Sequence, residues 1–126
     1  MLGDTARQHA RVMEAYRLLE GLASQKPDDL LYQSDLATAN EELGKVLLDR
    51  GRLPEALSAF EAALGIFEKL SQKEPRNTDW QRGLAASSIE VGAALAEQGN
   101  GLGALLAFER GIDITTRLKS SNPLHP

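Results

Sequence analysis

The 126-residue sequence contains no cysteine. Disulfides, thiolate metal sites, iron–sulfur clusters and cysteine nucleophiles are therefore excluded. Basic residues are also in the minority, with 14 Lys and Arg against 18 Asp and Glu and a net charge of −4. Because these charges are scattered, no basic face for nucleic acid is expected.

Long apolar runs are missing as well. No stretch of about 18 apolar residues exists to span a bilayer, so membrane insertion is not expected. The first ten residues include Asp4, Arg7 and Gln8 and have no apolar core segment, so no signal peptide is expected. We therefore expect a cytoplasmic protein.

Residues that carry catalysis or bind metals are scarce. The two histidines, His9 and His125, have no His-x-x-x-His or Glu-x-x-His spacing around them, so we predict no metal and a structural role for His9. The acidic pairs Asp28/Asp29 and Glu41/Glu42 are adjacent in sequence and diverge around a helix, as expected of a solvated face. We expect no catalytic residue, no bound cofactor and no enzyme activity.

Serine and glycine motifs give the same answer. Ser87 and Ser88 are placed in the middle of a predicted helix, where a hydroxyl can bond back to the preceding turn. The loop from Gly99 to Gly103 lacks the lysine and the upstream strand of a phosphate-binding loop, and it coincides with a predicted turn between helices.

The sequence does contain an internal duplication. A shift of 48 residues aligns residues 27–75 with 75–123 without a gap and gives 16 identities in 49 positions, among them Gly44 with Gly92 and Phe60 with Phe108. Residues 12–22 match a further copy more weakly. The chain therefore predicts two repeats preceded by half a repeat.

Each repeat has the pattern of two helices. Apolar residues recur every three or four positions, while Gly51 and Gly99 are suited to left-handed helix ends. Asp28 and Asn77 are predicted N-caps, Pro54 suits a first helical turn, and Pro75 a stop. We predict an all-α fold with helices at about 4–24, 28–50, 53–73, 77–98 and 101–120, as one domain over 1–126. The half repeat is 4–24, the repeats are 28–73 and 77–120, and a tail covers 121–126.

These motifs resemble the tetratricopeptide repeat family. The resemblance is carried by Leu43-Gly44, Gly51, Ala56, Phe60 and Ala63, and in the second copy by Val91-Gly92, Gly99, Ala104 and Phe108. Gly44 and Ala56 would let paired helices approach, and Phe60 would fill the groove toward the next pair. The family period is 34 residues, so the chain is similar to a long-helix variant. The resemblance implies an antiparallel helix-pair solenoid with a right-handed superhelix. The segment from Pro75 to Gln81 has the pattern Pro-x-Asn-x-x-Trp-Gln, which resembles a motif of repeat arrays in large bacterial multidomain proteins.

The resemblance also implies a binding groove on the first helix of each pair. Carried over position by position, the groove contains Thr38, Glu41, Lys45, Leu48, Asp49, Ala86, Ile89, Ala93, Ala96 and Glu97, with Arg82 and Lys45 as candidate anion contacts. Ile89, Ala93 and Ala96 form a stripe that the hairpin packing of Leu84, Val91 and Leu95 leaves unused. A partner is one explanation for this stripe, and coverage by adjacent helices or a second copy is the other.

The two ends of the array are predicted to be open. Leu105, Phe108, Ile112 and Leu118 have no following helix, whereas Val12, Tyr16, Leu19 and Leu22 allow the first helix to close the other side. Self-association into a homodimer would cover the open face, and excision of this chain from a longer array would explain why it is open.

The function expected from this pattern is a non-catalytic scaffold or adaptor that binds a protein or peptide on its concave helical face. The alternative is a regulatory or sensor module that holds a small ligand in the groove. An apolar groove open along its length would favour a peptide, and a closed pocket with converging Lys45, Arg82 and carboxylates a small ligand.

Overall fold

A computed structural model describes residues 2–120, which form five α-helices and no strand. The helices are α1 (Leu2–Gln25), α2 (Leu30–Asp49), α3 (Leu53–Lys73), α4 (Thr78–Glu97) and α5 (Gly101–Ser120). Each helix packs against the next one in the sequence. The predicted all-α architecture of packed helix pairs is confirmed, and the predicted tail at 121–126, with His125, lies outside the described residues.

The starts of α2 and α4 are fixed by side-chain caps. Asn77 Oδ1 accepts a hydrogen bond from the Trp80 backbone N–H at 3.1 Å, as predicted. In α2 the cap is Asp29, whose Oδ1 accepts from the N–H groups of Leu31 and Tyr32 at 3.0 and 3.2 Å. The prediction of Asp28 was wrong by one residue. Asp29 is the residue that a 48-residue shift places on Asn77.

The ends of α2 and α4 are equivalent glycine turns. Gly51 and Gly99 have φ values of 74° and 86°, the left-handed region in which a Cβ is unfavourable. The following N–H groups, of Arg52 and Asn100, each bond back to a leucine carbonyl at 2.9 Å. The two turns close the hairpins in the same way.

The duplication is visible in the hydrogen bonds of the turns that precede α2 and α4. Gln33 Nε2 donates to the Pro27 carbonyl at 3.4 Å, and Gln81 Nε2 donates to the Pro75 carbonyl at 3.5 Å. Both residues of the first pair are 48 positions before those of the second. Each glutamine therefore ties a helix to the proline turn before it, once in each repeat.

Glycines let the helices approach one another at three ring contacts. A Cβ at Gly44 would lie 2.5 Å from the Phe60 ring, and one at Gly92 would lie 2.9 Å from Phe108. Phe60 therefore packs within its own hairpin, rather than serving only as a contact to the next pair, and it shares a buried cluster with Val91 of α4. At the junction between repeats, a Cβ at Gly83 would lie 2.5 Å from the Phe67 ring.

The helix α1 closes one end of the array. Val12, Met13 and Tyr16 are half-buried against the core cluster that contains Leu43 and Phe60. The role predicted for Val12 and Tyr16 is confirmed. At the other end, the face of α5 turned away from α4 has no helix against it among the described residues.

No helix in the described part of the chain is long and apolar enough to cross a membrane. The helices are amphipathic, and each one has charged residues on its outward side.

Candidate functional site

The predicted groove residues lie on two neighbouring helices, α2 and α4. Within residues 2–120 these are the one pair of non-consecutive helices whose backbones approach each other. Because α1 does not approach α3, nor α3 approach α5, the array bends toward this side. We call this surface the α2–α4 face. Glu41 and Leu48 are half-buried in it, and its exposed members are Thr38, Lys45, Asp49, Arg82, Ala86, Ile89, Ala93, Ala96 and Glu97.

A cluster of charged side chains joins α2 to α4 on this face. Lys45 Nζ lies 3.7 Å from Glu90 Oε2 on α4 and 3.9 Å from Glu42 Oε1 on α2. Glu41 interacts with the same Glu90 carboxyl. The sequence prediction included Glu41 and Lys45 but missed Glu90. Because Lys45 is already paired with carboxylates, its predicted role as an anion contact is disfavoured.

The carboxyl groups of Glu41 and Glu90 can hydrogen-bond to each other only if one of them is protonated. Burial, together with the hydrogen bond to Glu90 and its negative charge, raises the pKa of Glu41 to about 8. Glu90 Oε1 is buried and has no hydrogen-bond partner. A proton on Glu41 is the donor that this pair lacks when both groups are ionised. Lys45 opposes the shift, and the more exposed Glu42 adds to it.

The raised pKa predicts a stability that falls with pH. Between pH 4.5 and about 8 the folded Glu41 keeps a proton that the unfolded chain releases, so stability is greatest below this window and is lost as pH rises through it. After allowance for screening of a partly exposed group, we expect a loss on the order of 1–2 kcal/mol. Urea unfolding of the wild-type chain and of Glu41→Gln at a series of pH values measures it.

The Glu41→Gln variant is the control for all other titrating groups. Its unfolding free energy should vary less with pH than that of the wild-type chain. Equal pH dependence in the two proteins would contradict the assignment to Glu41.

Ile89 lies at the boundary between the α2–α4 face and α5. Its side chain packs on Gly111, because a Cβ there would lie 2.7 Å from Ile89 Cγ1, yet 40 % of its surface stays exposed. The prediction that hairpin packing leaves Ile89 unused is therefore wrong in part. Adjacent α5 residues and Ile89 line an open groove of about 430 Å³, whose walls are Arg82, Ala85, Ala86, Ile89, Thr115, Leu118 and Lys119.

The two predicted cations do not converge on one pocket. Arg82 lines the α4–α5 groove, where its guanidinium lies 3.6 Å from Asp79 on the same helix. Lys45 instead lies beside Glu90, which is eight residues further along α4, or about 12 Å along the helix axis. Lys45 and Arg82 therefore do not form the closed pocket with converging charges that a small ligand would need.

Four of the exposed residues of α4 form an apolar stripe. Ala86, Ile89, Ala93 and Ala96 follow one another at intervals of three, four and three residues and so share one side of the helix. Arg82 and Glu97 border the stripe at its two ends, and Glu90 beside it is turned toward Lys45. The stripe extends over about 15 Å of the α2–α4 face.

The glycine-rich loop, the serine pair and His9, which the sequence singled out, have the following contacts. Asn100 Oδ1 accepts from the Gly103 N–H at 2.9 Å and so caps α5 inside the glycine-rich loop. Ser88 Oγ donates to the Leu84 carbonyl at 2.9 Å, whereas Ser87 Oγ is buried without a partner. His9 is half-buried, and burial together with the charges of Arg50 and Arg52 lowers its pKa. In the described part of the chain no group of His, Asp or Glu is arranged to hold a metal ion.

Comparison with known proteins gave no relative. No protein-family model matches the chain, and neither a curated protein nor a solved structure matches it.

Proposed function

We propose that the chain is a non-catalytic interaction module of the tetratricopeptide type, which binds a protein or peptide on the α2–α4 face. The observation that carries this proposal is the apolar stripe of Ala86, Ile89, Ala93 and Ala96, which stays exposed on the inner side of the bend. Burial of this stripe by an extended peptide or a helix would be favourable. The duplicated helix pairs and glycine turns support the family assignment.

The shape of the surface favours a peptide over a small ligand. The α4–α5 groove is open, and the charges that would hold a small polar ligand are separated along α4. The competing sensor function requires a closed pocket with converging charges. Ser88 and Asn100 are engaged in hydrogen bonds with the backbone of α4 and α5, respectively.

Charged substitutions in the stripe should abolish partner binding. We expect Ile89→Asp combined with Ala93→Glu to remove capture of the partner, because both changes place a carboxylate in the surface that the partner would bury. The measurement is affinity capture from a lysate of the source organism, with mass spectrometry to compare the captured proteins. Helical circular dichroism should stay as in the wild-type chain.

A matched control has the same two kinds of substitution elsewhere. Leu18, which is 64 % exposed on α1, and Ala62, which is exposed on α3, lie on helices that do not contribute to the α2–α4 face. The variant with Leu18→Asp and Ala62→Glu should capture the same proteins as the wild-type chain. Capture that persists in the Ile89 and Ala93 variant would place the binding surface elsewhere.

A further inference from the structure

The second repeat has an open face whose counterpart in the first repeat is covered. In the first repeat α4 covers the α2–α3 hairpin: Phe67 packs on Gly83, and Trp80 Nε1 donates to Ser34 Oγ at 3.1 Å. A shift of 48 residues moves Phe67 to Thr115 and Ser34 to Arg82. No described helix packs on these two residues as α4 packs on the first repeat.

The exposure of leucine and isoleucine side chains shows the same difference. Leu57 and Leu64 of α3 are half-buried in a cluster with Val91 and other residues of α4. Their counterparts on α5, Leu105 and Ile112, are 53 % and 60 % exposed. The α5 side of the second hairpin thus has an apolar surface of the kind that a packed helix covers in the first.

We propose that an amphipathic helix of another protein packs on this surface in the way that α4 packs on the α2–α3 hairpin. We call the surface the end face and define it by Arg82, Ile89, Leu105, Ile112, Thr115 and Lys119. It continues, one repeat further along, the interface that α4 makes inside the chain. The inference goes beyond the proposed function, since most of the end face belongs to α5 and not to the α2–α4 face.

The size of the partner's side chains follows from the replacement of Phe67 in the first repeat by Thr115 in the second. Thr115 replaces the Phe67 ring, and the groove of about 430 Å³ lies beside it. The partner helix therefore needs a bulky apolar side chain where α4 has Gly83. In the first repeat Glu41 of α2 faces Glu90 of α4, and the 48-residue shift moves Glu41 to Ile89. Because Ile89 is apolar, the partner helix needs an apolar residue at the position equivalent to Glu90, seven residues after the one equivalent to Gly83.

The charge of the partner follows from the basic rim of the groove. Arg82 stands where Ser34 accepts from Trp80, and Lys119 stands where Ser71 is buried in the first repeat. Arg82 and Lys119 are both exposed. Arg82 forms an ion pair with Asp79, but both side chains of this pair are well exposed to solvent. Charge complementarity therefore requires a carboxylate in the first turn of the partner helix, at the Trp80 position.

A peptide built on these requirements tests the proposal. The probe is a fluorescein-labelled peptide of residues 75–98 with Trp80→Glu, Gly83→Leu and Glu90→Leu, and fluorescence anisotropy follows its binding to the full chain. We expect saturable binding, weakened about tenfold or more by Ile112→Glu in the chain. Leu18→Glu, at a position of α1 that is 64 % exposed, is the matched control and should bind as the wild-type chain does.

A charge exchange tests the orientation of the helix. Arg82→Glu should weaken binding of the probe, and a second probe with Trp80→Lys should restore it. Absence of saturable binding, or equal binding by Ile112→Glu and the wild-type chain, would overturn the proposal. Circular dichroism of each variant shows that the chain is folded.

Sedimentation at several concentrations tests for a second copy on the same surface. A monomer supports an end face that is free for another protein. A dimer that Ile112→Glu converts to monomers would overturn the choice of a different protein as the occupant. Lysate capture that Ile112→Glu abolishes and Ala93→Glu leaves unchanged would support this inference and contradict the proposed function, and the reverse pattern would contradict this inference alone.

Discussion

Replacement of Phe60 by alanine is expected to lower the free energy of unfolding by about 3–5 kcal/mol. Phe60 is 2 % exposed and belongs to the cluster formed by Leu43 and Leu47 of α2 and Val91 and Ala94 of α4. This cluster joins three helices, and loss of the Phe60 ring would leave a cavity inside it. Urea unfolding monitored by circular dichroism at 222 nm measures the change.

The control for this prediction is an exposed apolar residue of the same protein. Leu31→Ala, at a position that is 72 % exposed, should change the free energy of unfolding by less than about 0.5 kcal/mol. A loss below about 1 kcal/mol for Phe60→Ala would show that the ring is not part of a tightly packed core.

A methyl group at Gly44 should also destabilise the fold, by about 1–3 kcal/mol. The added Cβ would lie 2.5 Å from the Phe60 ring, and that ring is buried on its other sides. This overpacking outweighs the gain of up to about 1 kcal/mol that alanine brings over glycine inside a helix. The same urea experiment measures the net effect.

Two further variants separate the contact from the helix propensity. Gly65→Ala in α3 has no atom within 4 Å of the new Cβ and should stabilise the protein by about 0.5–1 kcal/mol. Adding Phe60→Leu to Gly44→Ala should cost less than the sum of the two single changes, because the smaller side chain makes room. Strict additivity would argue against the direct contact.

The helices could be predicted from sequence because their ends are marked by residues with strong local preferences. Pro54 lies in the first turn of α3, and Gly51 and Gly99 take left-handed conformations after α2 and α4. The choice between Asp28 and Asp29 failed because both residues can cap a helix. The duplication would have decided it, since Asp29 aligns with the cap residue Asn77.

The candidate site was predicted less completely than the fold. Carry-over of positions from the family resemblance assigned Glu41, Lys45 and Ile89 to the first helix of each pair, and they lie on α2 and α4. The carry-over does not give the rotation of one helix against the next, and this rotation brings Glu90 to Lys45 and Ile89 to Gly111. Glu42 and Glu90 are equivalent positions in the duplication, but Glu42 is the more exposed of the two. The repeat alone therefore did not indicate that Glu90 is partly buried beside Lys45.

The packing of each helix mainly on its sequence neighbours has a consequence for local unfolding. Among the described helices, α1 contacts α2 alone and α5 contacts α4 alone by backbone approach, whereas α2, α3 and α4 each pack on more than one helix. Amide protons should therefore exchange with solvent first in the two outer helices and last in the central three. A ligand that covers α5 would extend the slowly exchanging region by one helix.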